Sequence, residues 1–347
     1  MRVLHLAAGN RWTGAAAPAF AEVEALRAAG ADAHYAYVGG YKLETKLRDV
    51  EFAHPLIEKA QNPAAAWRTI RALQSLGDFD VVHTHLTHDH MLGAMLAKRT
   101  NARLARTYHS QRVLRRDPFS ALLLRRTPHR FVINETFDVP GAVFTPPPVD
   151  HRQFTPEGAN VRARYGIGGE APLIVSIGKL THDRGFELAL QAFAVIRRAH
   201  PTARMMIIGH GPHQNTLEVV SGALSLDVVF AGYHEDDLAD HYRGADALLF
   251  AARGSDEGHR AILEAMACGV PPVTAPIAGV DALVRGLDGA FIAEEPSAEA
   301  IAARAIPILE ARDESLCRAV AAHSQQFGYA AAAERLMRAY EAPLERD

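Results

Sequence analysis

Short apolar runs alternate with longer stretches of helical period along most of the chain. Arg2–Leu6 reads as a buried strand, followed by a loop over Ala8–Thr13 and an Ala-rich helix that starts after Gly14 and ends near Gly30. Ala33–Val38 is the next strand, and a helix around Ala64–Leu76 precedes the β-branched strand Val81–His83. Ala102–Tyr108 and Arg130–Ile133 read as further strands. This alternation predicts a parallel sheet with helices on both faces, whose ligands sit beyond the strand C-termini. Proline density in TPPPVD and FTPEG, around Pro146–Gly158, breaks the pattern and favours an extended connector. The pattern then restarts with a strand at Leu173–Ile177, a helix at Phe186–Ala199 and a strand at Arg204–Ile208. Val228–Ala231, Ala247–Phe250 and Pro272–Ala275 follow as strands. The expectation is an α/β protein of two doubly wound, Rossmann-like parallel-sheet domains, residues 1–155 and 165–325. A final helix, about Ala330–Tyr340 within 326–347, has no strand after it.

Composition narrows the function. The chain has 347 residues, 48% hydrophobic, enough for two cores. A net charge of −3 gives no global attraction to nucleic acid. The two cysteines, Cys268 and Cys317, exclude a disulfide scaffold and fit a reducing compartment. The opening MRVLHLAAGN is too short for a signal peptide, and no run approaches the length of a membrane span. A cytoplasmic protein is expected.

The stretch GSDEGHRAILEAMACGVPPV, Gly254–Val273, concentrates the candidate chemistry. It sets Asp256 and Glu264, with seven residues between them, across a loop that opens a helix. Gly258 loosens the entry, His259–Cys268 contains no Gly or Pro, and Gly269 is a natural stop. Ile262, Leu263, Met266 and Ala267 share one face, which should be core. Free N–H groups and the positive dipole end make the helix start an anion site. Glu264 lies about 9 Å along the axis from Gly258. Phosphate at the helix start with hydroxyls on the carboxylates describes a nucleotide sugar. The plainer alternative is a capped helix with Glu264 exposed and paired to Arg260 on a solvated face.

This stretch resembles the signature of glycosyltransferase family 4, retaining enzymes of the GT-B fold, in which Glu-Gly precedes L-E-A-M-A-x-G-x-P-V. Here LEAMACGVPPV spans Leu263–Val273, and the first carboxylate is Asp256, or Glu257 if the spacing has slipped. SIGKLTHDRGFELALQAF, Ser176–Phe193, resembles the family's G-R-L-x-x-x-K-G with Arg and Lys exchanged as Lys179 and Arg184. Two cations at one strand–helix loop suit a diphosphate leaving group. The exchange keeps charge and changes a fork for a point, and solvated loop cations are the bland alternative. Ile207–Glu218 and Val228–Phe250 resemble the family's V-G-x-G-P and V-x-F-x-G segments. The resemblance implies donor binding by Gly14, Gly178, Gly209, Gly232, Tyr233, Glu257, Gly258, His259, Arg260 and Glu264. It implies catalytic roles for Asp256, Lys179, Arg184 and His109, and no metal or other cofactor. Glu235–Asp237 reads as a cap for the next helix rather than a metal site.

The first domain carries a thinner resemblance. MRVLHLAAGNRWTG is similar to the family's opening strand and glycine loop, with Ala15, Ala16 and Ala17 where a Glu is usual. VVHTHLTHDH, Val81–His90, is similar to its V-V-H-x-H strand end, and TYHS, Thr107–Ser110, to its T-x-H loop, which places His109 near the reacting sugar. The implied activity is sugar transfer from a nucleoside-diphosphate sugar to a glycan, lipid-linked or cell-envelope acceptor. The donor would lie on the second domain and the acceptor on the first, facing a cleft, with the last helix packing back on the first domain. The Arg-rich, leucine-interleaved segment Lys98–Arg130 offers a basic surface for an anionic membrane or acidic acceptor. No nucleic-acid motif accompanies it. Two other functions stay open: a non-catalytic nucleotide-sugar-binding protein, and a metal-dependent hydrolase built on His83 and His85.

Overall fold

The computed structural model describes residues 1–9, 12, 14–111, 118–252, 259–289, 291–311 and 313–343. The chain divides into two compact units, Met1–Pro148 with Phe327–Asp347, and Val149–Gln326.

The N-terminal unit contains β1 (Arg2–Ala7), α1 (Ala16–Ala28), β2 (Asp32–Val38), α2 (Lys42–Leu47), β3 (Ala53–Ile57), α3 (Pro63–Gln74) and β4 (Val81–Thr84). It continues with α4 (Thr87–Thr100), β5 (Arg103–Tyr108), α5 (Pro118–Arg125), β6 (His129–Val132) and β7 (Val143–Phe144). The seven strands run parallel in the order β3-β2-β1-β4-β5-β6-β7. Successive strand residues face opposite sides. Val3 and Ala7 therefore pack with α1, while Leu4 and Leu6 pack with Ile70 and Leu73 of α3 and Leu92 and Leu96 of α4.

The second unit contains β8 (Leu173–Ile177), α6 (Phe186–Ala199), β9 (Arg204–Ile208), α7 (Gln214–Ala223), β10 (Val228–Gly232), α8 (Leu238–Arg243) and β11 (Ala247–Phe250). Then come α9 (Arg260–Ala267), β12 (Pro272–Thr274), α10 (Val280–Val284), α11 (Ala298–Ala311) and α12 (Glu314–Ser324). Its five strands are parallel in the order β10-β9-β8-β11-β12. Ile174, Met205, Ile207 and Leu249 form one apolar layer with Leu190 and Phe193 of α6 and Ile301 and Leu309 of α11. The last helix, α13 (Tyr329–Glu341), belongs to the N-terminal unit, where Leu336 and Tyr340 join the layer under α1. Its Tyr329 hydroxyl donates to Glu24 of α1 at 2.8 Å.

Two local expectations are corrected. Asp237 stands at the N-cap of α8 without bonding a helix N–H. Its carboxylate instead accepts from Arg164 at 2.6 Å and pairs with His234 at 2.7 Å. The segment Lys98–Arg130 is also not one basic face. Arg106 is buried against His90 and the ring of Tyr108. Arg103 donates to the Tyr340 carbonyl, and Arg130 to the carbonyls of Leu124, Thr127 and Pro140. Lys98, Arg99, Arg125 and Arg126 are exposed, and Arg112, Arg115 and Arg116 lie outside the described residues.

Candidate functional site

In the second unit, chain crossovers reverse direction between β8 and β11, the place where a doubly wound sheet opens a crevice for a ligand. The strand ends there are drawn together by glycines. A Cβ on Gly209 would lie 1.8 Å from the Gly178 carbonyl oxygen, and Gly209 donates its N–H to Gly232 at 2.8 Å. Gly178 in turn donates to Ile208 at 3.0 Å. Lys179, exposed, follows directly. A single 3-10 turn, His182–Arg184, leads to Gly185 at φ +70°, where a Cβ would meet the Ala251 carbonyl oxygen at 1.8 Å. Only glycine lets that turn sit against the end of β11. The backbone of Lys179 and Arg184 is thus placed at the switch point.

The carboxylate of this site is held from two sides. His259, in the left-handed region at φ 47°, precedes α9 and is anchored through Nε2 to the Ala278 carbonyl at 3.0 Å. One turn on, Glu264 is 5% exposed, so the solvated-face alternative does not hold. Its Oε1 accepts from Arg260 at 2.6 Å and its Oε2 from the Tyr242 hydroxyl at 3.1 Å. Burial pushes the Tyr242 phenol well above its ordinary pKa, so it remains a donor. Tyr233, just past Gly232 at φ +81°, is 66% exposed and donates to Glu235 at 3.0 Å. Asp256, Glu257 and Gly258 lie outside the described residues.

In the N-terminal unit, Gly14 at φ +62° opens the turn into α1. His109, just past β5, is half-buried; its Nε2 lies 3.0 Å from Nδ1 of His85. Burial pushes its pKa down to about 3, so it is neutral near pH 7. Nδ1 of His109 has no partner among the described residues.

Several polar residues here escaped the sequence reading. Asp89, at the third position of α4, accepts from the N–H groups of Ala8, His85 and Leu86 at 3.0, 3.2 and 2.7 Å, tying the ends of β1 and β4 together. Its signal was an acidic residue three places after a helix cap. Glu22 of α1 is buried, and burial raises its pKa to about 8. The faint signal was a carboxylate inside the apolar run AFAEVEAL. Tyr242 gave none, because a buried tyrosine and a buried phenylalanine look alike in sequence.

Two parallel-sheet Rossmann-like units, the second with cations and a held carboxylate at its switch point, define a GT-B protein. The chain belongs to glycosyltransferase family 4: the family described as "Glycosyltransferase Family 4" matches residues 12–134, and "Glycosyl transferases group 1" matches residues 159–327. One relative is a GDP-mannose-dependent alpha-(1-6)-phosphatidylinositol monomannoside mannosyltransferase of Mycolicibacterium smegmatis. It is 35% identical over 156 residues, 42% of this chain and 40% of that protein. A D-inositol 3-phosphate glycosyltransferase of Geodermatophilus obscurus is 28% identical over 313 residues, 78% of this chain and 68% of the relative. Among solved structures, HepE of Anabaena, crystallised with UDP and glucose, superposes with a TM-score of 0.79 at 15% identity, covering 99% of this chain and all of that one. A glycosyltransferase of Rickettsia africae superposes at 0.80 with 17% identity, over 98% of this chain and 97% of that one. Neither the hydrolase nor the non-catalytic alternative is favoured. No helix among the described residues is long and apolar enough to cross a membrane.

Proposed function

We propose that this chain is a retaining transferase that moves a sugar from a nucleoside-diphosphate sugar to a glycan or lipid-linked hydroxyl, without a metal in the chemistry. The observation that carries the reading is the β8–β11 switch point. Gly178, Gly185 and Gly209 bring Lys179 and Arg184 to the strand ends, and Glu264 is oriented by Arg260 and Tyr242. Cations at this loop would stabilise the charge of a departing diphosphate. Glu264 would accept from the ribose, Asp256 would grip sugar hydroxyls, and the backbone at Gly232 and Tyr233 would meet the base. As the anomeric carbon–oxygen bond breaks, the acceptor hydroxyl bonds to that carbon on the same face and gives its proton to the leaving phosphate. His109, neutral, orients the acceptor or sugar through a hydrogen bond. Lipid-linked acceptors agree with the phosphatidylinositol mannoside substrate in the name of the mycobacterial relative. Lys98, Arg99, Arg125 and Arg126 would support contact with an anionic inner-leaflet surface, and equal sedimentation with anionic and neutral vesicles would remove that contact.

The test is thermal stability with UDP, GDP, ADP and CMP, each with and without EDTA. A ligand that binds only the folded state raises Tm. One nucleoside diphosphate should raise Tm by the same increment in both buffers. No increment with any of them would sink the reading. Glu264→Gln should abolish that increment and lower transfer at least ~100-fold, the scale of losing one placed electrostatic contact.

A further inference from the structure

The interior of the N-terminal unit holds a polar cluster that sugar transfer does not use. His5 lies within β1, His83 within β4, His85 directly after β4, and Glu22 on α1. All four are at most 2% exposed. His5 and His83 are register partners on neighbouring strands. Nδ1 of His5 lies 2.9 Å from Nε2 of His85. Oε2 of Glu22 lies 3.7 Å from Nδ1 of His5, 3.9 Å from Nδ1 of His83 and 3.9 Å from Nε2 of His85. Those spans are too long for hydrogen bonds, and that buried oxygen has no hydrogen-bond partner. One ligand atom from each of the four residues falls within 4.8 Å of the others.

An oxygen nearly equidistant from three ring nitrogens and bonded to none is unexpected in a dry core. It is the arrangement around a tetrahedral cation. Zinc bonds of about 2.0–2.1 Å set ligands about 3.3–3.4 Å apart, and the four separations above bracket that value. The outer contacts agree. His83 Nε2 meets Thr107 Oγ1 at 2.8 Å and His85 Nδ1 meets His109 Nε2 at 3.0 Å. Such partners fix the ring orientation and the tautomer and turn the opposite nitrogens towards Glu22. Two contacts compete: the hydroxyl of Tyr340, 2.6 Å from His83 Nδ1, and the hydrogen bond between His5 Nδ1 and His85 Nε2 at 2.9 Å would both have to be given up.

We propose that His5, Glu22, His83 and His85 bind one divalent zinc-class ion that pins α1 to the centre of the N-terminal sheet. Three imidazoles and one carboxylate select a first-row transition metal such as zinc over magnesium or calcium. Four protein ligands close the coordination sphere, so the ion is structural and takes no part in group transfer. The proposal stands independently of the donor-site reading.

The test refolds the full chain from guanidinium with equimolar zinc or with EDTA, which avoids relying on metal entry into a sealed core. After exhaustive dialysis, metal content and Tm are measured, and cobalt replaces zinc in a parallel sample. About one equivalent of retained zinc, a Tm several degrees above the EDTA sample, and tetrahedral cobalt absorption near 600 nm are expected. Glu22→Gln should fold, lose the retained metal and melt at one temperature in both preparations. Tyr340→Phe should retain it, which separates loss of a ligand from damage to the core. No retained metal in the wild type overturns the proposal. So does zinc retained unchanged by Glu22→Gln, which would place the ion on another group such as His182, Glu187 and His213.

Discussion

The two units share a topology and differ at its centre. In the second unit, Ile174 of β8 stands beside Ala247 of β11, under the apolar residues of α6 and α11. In the first, His5 of β1 stands beside His83 of β4, under Glu22 of α1 and Tyr340 of α13. Equivalent strands and helices thus enclose hydrocarbon in one unit and ionisable groups in the other. Burying polar groups costs free energy unless each finds a partner, and the second unit shows that this fold does not need them. The polar centre is therefore not a requirement of this topology. The glycines invert the contrast: among the described residues, the second unit makes the tightest backbone approaches, at its strand ends, where the proposed donor site lies.

The largest expected effect breaks that tight approach. Gly185→Ala combines φ +70° with a Cβ placed 1.8 Å from the Ala251 carbonyl oxygen. It should destabilise the second unit by about 3 kcal/mol or more. Gly14→Ala is the matched case in the first unit, with φ +62° and nothing within 4 Å of the added carbon. It should cost only the left-handed penalty, about 1–2 kcal/mol. Urea unfolding of both variants measures the difference, and equal losses would show that the strand-end approach carries no weight.

The centres themselves can be compared next. Leu249→Ala removes apolar volume from the second unit and should cost about 2–5 kcal/mol. Glu22→Leu in metal-free protein replaces a buried carboxyl by hydrocarbon of similar size. It should leave stability unchanged or raise it by about 1–4 kcal/mol. A large loss from Glu22→Leu without metal would mean that the polar centre is already satisfied within the protein. Tyr242→Phe lies between these in size. It strips one oxygen of Glu264 of its donor in a dry setting, which should cost about 1–3 kcal/mol. It should also shrink the nucleotide-induced rise in Tm.

What could be read from sequence follows the same division. Leu173–Ile177, Phe186–Ala199, Arg204–Ile208 and Ala247–Phe250 are elements with the bounds their apolar runs gave, because each is bounded by turn residues and buried on one or both faces. The places of Lys179, Arg184 and Glu264 in the fold were legible because local spacing puts them at a strand end or one turn into a helix. Short or partly exposed elements such as α2 and β3 gave no comparable signal, since too few of their residues are buried to set a period. His83 and His85 stood out in sequence as a possible metal pair, but their grouping with His5 and Glu22 was not legible, for another reason. It is assembled by strand register and by helix packing across a sheet, relations that no local window contains. The same limit applies to Tyr340 on His83, a contact made across 257 positions. It also explains Asp237, which sequence proximity assigned to its own helix and the fold assigns to Arg164.

That last pair gives the smallest expected effect and a sharp sign. The hydrogen bond from Arg164, with help from His234, holds Asp237 down at about 2. A carboxylate depressed in the folded state adds stability above its unfolded pKa, near 3.8, and loses it as pH falls towards 2. Arg164 is exposed and Asp237 partly so, and solvent screening keeps the worth of the pair small. Arg164→Ala should therefore lower Tm slightly at pH 5 and leave it unchanged at pH 2, because by then the wild-type carboxylate is gaining its proton too. Raising the salt concentration should shrink the pH 5 difference, since an exposed pair is screened. The mutation should leave the donor-induced Tm increment intact. A difference that persisted at pH 2 would mean that Arg164 acts through packing rather than through the charge of Asp237.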